Sequence, residues 1–247
     1  MSEWVVRPLP NPTARLRLFC FPYSGGGAGV FLEWPKGLPA EVEVCAMRLP
    51  GREVRLREAS FTQMEPLVES ALAGIRPFLD RPFVFFGHSL GALLAYNLVY
   101  RLQDEGVPPE HLFVAGYRAP HRPSHFPYVH QADETTFVDR IRNLDGSPAA
   151  FFDHPELLEM MLPTLRADFA VWETYVQDAT RVPLNCPIAA FGAREDKEAN
   201  QADMAAWRDY TASTFTLRMF AGGHFFIRDR QREVLQAVAR DLIPYLR

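Results

Sequence analysis

No stretch of this sequence approaches the roughly 18 consecutive apolar residues that a membrane-spanning helix requires. Nor does Met1-Ser2-Glu3-Trp4-Val5-Val6-Arg7-Pro8 contain the apolar centre of a secretory signal, so a cytoplasmic protein with no membrane partner is expected. Cysteine is scarce. Cys20, Cys45 and Cys186 are odd in number and far apart, which points to buried free thiols in a reducing compartment. A basic excess is missing too: 26 Lys and Arg stand against 30 Asp and Glu, and a net charge of -4 argues against nucleic acid as the main partner. His121, His125 and His130 lie close together, yet no carboxylate or cysteine completes a familiar ligand spacing, so they read as loop histidines and no metal is expected. What remains is ordinary for a globular protein. With 48% apolar and 23% charged residues, the 247 residues suit a single large α/β domain spanning 1–247.

The most informative stretch is Phe83-Val84-Phe85-Phe86-Gly87-His88-Ser89-Leu90-Gly91-Ala92. A short apolar run stops at Gly87, and helical spacing begins after Ser89 with Leu90, Leu93, Leu94 and Leu98. Between them stands G-x-S-x-G. A serine on a sharp strand-to-helix turn needs neighbours without a Cβ, because the chain passes close to itself there. The turn lifts the Ser89 hydroxyl above the sheet edge and aims the Leu90 N–H at whatever Ser89 attacks.

Other apolar runs read as strands at 16–21, 42–47, 112–116, 187–192 and 215–220, separated by helical patterns at 64–79, 90–105 and 234–243. This alternation predicts a mostly parallel sheet covered on both faces. It breaks between Arg118 and about Val182, where no buried strand is legible. Phe137, Ile141 and Leu144 suggest a short helix. Asp153 and Glu156 suggest a capped start to another, with Pro155 in its first turn, a stripe from Leu158 to Val176, and a split or kink at Pro163. The segment at about 118–184 is either a helical lid over a substrate channel or an extension of the core.

A serine nucleophile needs a base, itself oriented by an acid. His224 lies just past the last strand between glycine and phenylalanine, and Asp196 just past the preceding strand. Ser89, Asp196 and His224 thus follow strand C-terminal ends in the serine–acid–histidine order of α/β-hydrolases. Glu195 is the rival acid; Asp178 and Asp203 follow no strand. His88 adjoins Ser89 and reads as structural. Tyr23-Ser24-Gly25-Gly26-Gly27 follows the first long strand and lacks the Lys-Ser/Thr of a phosphate loop. It is either a flexible turn or the second half of an oxyanion hole, with the Ser24 N–H as first donor and that of Tyr23 behind it. Arg48, Arg52, Arg55 and Arg57 crowd one strand exit, as a salt-bridged rim or as a basic docking patch.

Phe21-Pro22-Tyr23-Ser24-Gly25-Gly26, Leu49-Pro50-Gly51-Arg52, Gly87-His88-Ser89-Leu90-Gly91-Ala92, Arg194-Glu195-Asp196 and Gly223-His224-Phe225-Phe226 together resemble the stand-alone type II thioesterases of polyketide synthases and nonribosomal peptide synthetases. The resemblance runs nearly end to end. It implies an α/β-hydrolase fold with a helical lid, and Ser–His–Asp hydrolysis of acyl groups from the phosphopantetheine arm of an acyl or peptidyl carrier protein. It implies an editing role and no cofactor of the enzyme's own. Tyr23, Met161, Leu165, Phe169 and Phe225 are then expected along the substrate channel, Leu90 and Ser24 at the oxyanion, and Arg48, Arg52 and Arg55 at the carrier. A monomer is expected. Two departures stand out: Ser24 where the family commonly has another small residue, and Tyr117-Arg118-Ala119-Pro120 in place of a more polar turn. The triad alone also fits a carboxylesterase, a lipase or an acyltransferase.

Overall fold

The computed structural model describes residues 3–144 and 154–246. Seven strands form one sheet in the order β1-β3-β2-β4-β5-β6-β7. They are β1 (Val5–Val6), β2 (Leu16–Phe21), β3 (Val42–Met47), β4 (Phe83–His88), β5 (His111–Ala115), β6 (Ile188–Ala193) and β7 (Phe215–Phe220). β1 alone is antiparallel, with Val5 opposite Met47. It is only two residues long and was not legible as a strand.

Strand alternation explains the two cores. In β4, Phe83 and Phe85 point to one face and Val84 and Phe86 to the other. The first face is covered by α1 (Met64–Ile75), α2 (Leu90–Asp104) and the short α5 (Gln201–Ala205). The second is covered by 3₁₀ turns at Ala28–Phe31 and Trp34–Gly37 and by the C-terminal α6 (Gln231–Leu242). With helices on both sides, β2 through β6 are buried along their length, as central parallel strands are.

Between β5 and β6 lie α3 (Glu134–Arg142) and α4 (Pro155–Glu173), and no extended strand among the described residues. Val129, Phe137, Ile141, Leu165 and Phe169 give this insertion a small core of its own. Asp133 caps α3 by accepting the Thr136 N–H. The expected cap at Asp153 lies outside the described residues. Pro163 does not split α4, which runs from Pro155 to Glu173. Its missing N–H costs that helix one hydrogen bond, and the burial of Leu165, Phe169 and Val171 in the following turns outweighs it. Val176 falls beyond the helix and is exposed, so the stripe ends earlier than its periodicity suggests. At the other end of the chain Ile243 is likewise exposed.

The three cysteines are free and buried. No helix among the described residues is long and apolar enough to cross a membrane.

Candidate active site

The strand order reverses between β2 and its neighbours β3 and β4, which makes the carboxyl ends of β2 and β4 the switch point of the sheet. The Tyr23–Gly26 turn leaves β2 and Ser89 leaves β4, side by side. Ser89 has φ 53° and ψ −121°, a conformation that L-residues rarely adopt. Its N–H donates to the Ala115 carbonyl at 2.8 Å. The flanking glycines permit the turn: a Cβ at Gly87 would collide with the Gly91 backbone, and one at Gly91 with the Phe21 carbonyl.

The loops after β6 and β7 complete a relay. His224 Nε2 lies 3.1 Å from Ser89 Oγ, and His224 Nδ1 lies 3.0 Å from Asp196 Oδ2. Asp196 Oδ1 accepts the N–H groups of Glu198 at 2.8 Å and Ala199 at 3.4 Å, which fixes the carboxylate plane. Both His224 and Asp196 are buried. Burial presses the His224 pKa down, but the charge of Asp196 and its hydrogen bond, helped by Glu198, carry it above the ordinary histidine value. His88 behaves oppositely. Burial, with His224 beside it, holds it well below the ordinary value, so it is neutral and donates Nε2–H to the His224 carbonyl at 2.8 Å. It braces the histidine loop.

Among the described residues, neither the Leu90 N–H nor the Ser24 N–H has a protein acceptor. Glu195 is exposed, and Asp178 is exposed on a loop that bonds Thr180. Asp203 is buried, but it binds Arg122 and His125 and caps α5. His121 and His130 are likewise engaged, His121 against Tyr210 and His130 on Glu173.

A cavity of about 350 Å³ opens onto Ser89 and His224. Tyr23, Met161, Leu165, Phe169 and Phe225 all line it, so the structure brings these five positions together around one cavity. Trp172 of the apolar stripe also lines it, as do Arg140 and Glu198, which carry no local sequence signal. Arg140 of α3 pairs with Glu198 at 2.6 Å, an ion pair in a wall that is otherwise mainly apolar apart from Ser24, Ser89 and His224.

The arginine patch requires correction. Arg52 is 3% exposed and Arg55 6%, so neither can face a carrier protein. Arg52 makes a two-pronged pair with Asp168 at 2.7 and 2.9 Å and also bonds the Pro50 and Gly26 carbonyls. Arg55 binds Glu58 and the Arg48 carbonyl and lies 4.4 Å over the Trp4 ring. Their donors are consumed inside the fold. Arg48 is partly exposed and paired with Glu53.

Sheet, elbow and relay define a serine hydrolase of the α/β-hydrolase fold. Residues 16–242 match the thioesterase domain family. Gramicidin S biosynthesis protein GrsT of Aneurinibacillus migulanus is 38% identical over 243 residues, covering 98% of this chain and 94% of that protein. BorB, a type II thioesterase from the borrelidin biosynthetic cluster, is a solved structure with a TM-score of 0.89 and 32% identity, covering 100% of this chain and 98% of that one. The chain belongs to the thioesterase family and is a thioester hydrolase. A third relative, linear gramicidin dehydrogenase LgrE of Brevibacillus parabrevis, is 37% identical over 249 residues, 99% of this chain and 94% of that protein. No register of Gly25-Gly26-Gly27-Ala28-Gly29 supplies the G-x-G-x-x-G of dinucleotide binding, so nothing in this turn supports dehydrogenase chemistry here.

Proposed function

We propose that this chain is a type II editing thioesterase, which removes acyl groups from the phosphopantetheine arm of carrier proteins in polyketide or nonribosomal peptide synthesis. The observation that carries the reading is the Ser89–His224–Asp196 relay opening onto an apolar cavity of about 350 Å³. BorB, from a biosynthetic cluster, points to the same class of substrate.

Ser89 Oγ attacks the thioester carbonyl while His224 Nε2 takes its proton, and Asp196 stabilises the imidazolium that forms. The oxyanion lies between the N–H groups of Leu90 and Ser24, each worth about 3 kcal/mol by the measured cost of losing such a donor. The C–S bond breaks, and His224 returns the proton to the pantetheine sulfur. Water, deprotonated by His224, then attacks the acyl-serine, and the carboxylic acid leaves as Ser89 is reprotonated. The enzyme uses no cofactor of its own, since the pantetheine arrives with the substrate. The reading is of a monomer acting in the cytoplasm: one chain supplies Ser89, His224 and Asp196, and the proposed carrier-bound substrates are those of biosynthetic relatives such as GrsT. The helical insertion serves as the lid, presenting Met161, Leu165 and Phe169 to the acyl chain.

Matched acyl groups on a phosphopantetheinyl carrier, on a short thiol and as an oxygen ester test the reading, with Ser89→Ala as control. A higher kcat/KM for the carrier-bound thioester, lost in the control, supports it. Equal or faster turnover of the oxygen ester points instead to an esterase.

A further inference from the structure

The Tyr23–Gly26 turn is held by groups far from it in sequence. Gly26 N–H donates to the Tyr23 carbonyl at 2.9 Å, and Gly25 has φ +76°, the positive value that marks the third position of a type II turn. Because the Tyr23 carbonyl points into the turn, the Ser24 N–H on the same peptide plane points out of it. Ser24 lines the cavity beside Ser89. Two further bonds fix the turn from outside. Gly25 N–H donates to Asp168 Oδ2 at 2.7 Å, and Arg52 Nη1 donates to the Gly26 carbonyl at 3.0 Å. Asp168 and Arg52 are themselves joined by two hydrogen bonds and are both buried. Asp168 belongs to α4, as does Leu165, whose Cδ2 would stand only 2.5 Å from a Cβ at Gly25. The helix that walls the cavity is thus seated on the turn.

We infer that the Arg52–Asp168 pair is a positioning device for the oxyanion hole, tying the Ser24 donor to helix α4 of the insertion. The inference rests on Ser89 as nucleophile and the Ser24 N–H as a donor to its adduct. A buried ion pair is weak evidence of net stabilisation, since desolvation offsets its attraction. Here it does something an apolar pair could not: it accepts one turn N–H and donates to one turn carbonyl. Neither side chain reaches the reacting atoms, so both act through the turn.

Asp168→Asn removes the charge and leaves the Arg52 guanidinium buried without its counter-ion. Arg52→Lys keeps the charge but loses the planar fork. Each is measured by thermal melting, by kcat and KM on a thioester, and by the Ki of an alkylboronic acid, which forms a tetrahedral anionic adduct on serine. Full loss of one oxyanion donor costs about 10²–10³ in kcat, so misplacing one is expected to lower kcat per folded molecule at least about tenfold. KM stays within about twofold, the boronate Ki rises in step with the loss of kcat, and the pH midpoint of the base limb is unmoved. A fall in melting temperature with wild-type kcat and Ki per folded molecule overturns the proposal. Should Asp168→Asn fail to fold, Arg52→Lys carries the same comparison. The boronate needs no thioester, so a wild-type protein that binds it without hydrolysing thioesters refutes the functional reading while these variants still decide the inference.

Discussion

Replacing Asp196 by asparagine removes one negative charge and almost no volume, and the structure determines how the amide must turn. Asp196 Oδ1 accepts two backbone N–H groups, from Glu198 and Ala199, while Oδ2 faces His224 Nδ1. The single carbonyl oxygen of asparagine stays with the two N–H donors. Its NH₂ then confronts Nδ1, which must become an acceptor, and the proton moves to Nε2, opposite Ser89. The base is lost without any shift in position. The same substitution in a serine protease triad costs about 10⁴ in kcat, or about 5.5 kcal/mol at 1.36 kcal/mol per decade. A second effect has a definite sign. Asp196 is the main group raising the pKa of His224, and the protonated imidazole cannot act as base. Residual activity in Asp196→Asn therefore persists to lower pH than wild-type activity does. Burst kinetics with a chromogenic thioester across pH 4.5–8.5 (about two units either side of the ordinary histidine value) measure both effects. A loss below about tenfold with an unmoved midpoint would refute the relay and return Glu195 to consideration.

Other outcomes follow from the packing. Gly87→Ala places a Cβ against the backbone of Gly91, so a loss of about 1–3 kcal/mol or more in urea unfolding is expected, with little soluble protein as the extreme. Burial holds His111 down to about 4, away from the site. Below the unfolded value near 6.5 the unfolded chain binds a proton that the folded one refuses, so stability falls with pH down to about 4. That loss amounts to about 2 kcal/mol between pH 7 and 5, and His111→Phe flattens it in urea titrations at the two pH values. Met161→Trp fills the cavity wall, raising KM for long acyl chains more than for acetyl, and equal effects on both would place the acyl group elsewhere.

Much of this site could be read from the chain because each triad residue follows a strand end that is itself legible as a short apolar run. The runs at 83–86 and 187–192 stand out because central parallel strands are apolar on both faces, and the run at 215–220 stands out by the alternating apolar residues of the edge strand β7. Ser89, Asp196 and His224 stand directly behind them. What stayed hidden is non-local. Asp168 meets Gly25 across 143 residues, and nothing in its helix distinguishes it from an exposed aspartate. Arg52 and Arg55 looked like surface charge for the same reason: their partners Asp168 and Trp4 lie on other elements. Helix α4 passes Pro163 because tertiary burial overrides local propensity. β1, two residues long, carries no periodicity at all.

The central claim is that acyl groups pass from a carrier thioester to Ser89. Intact-protein mass spectrometry after rapid mixing with an acyl-carrier substrate tests it directly, with peptide mapping of the modified residue. The account predicts a transient gain of one acyl mass on the Ser89 peptide, absent in Ser89→Ala and prolonged when hydrolysis is slowed at low pH. Turnover of the carrier thioester by Ser89→Ala at the wild-type rate, or an acyl mass on any other residue, would contradict it.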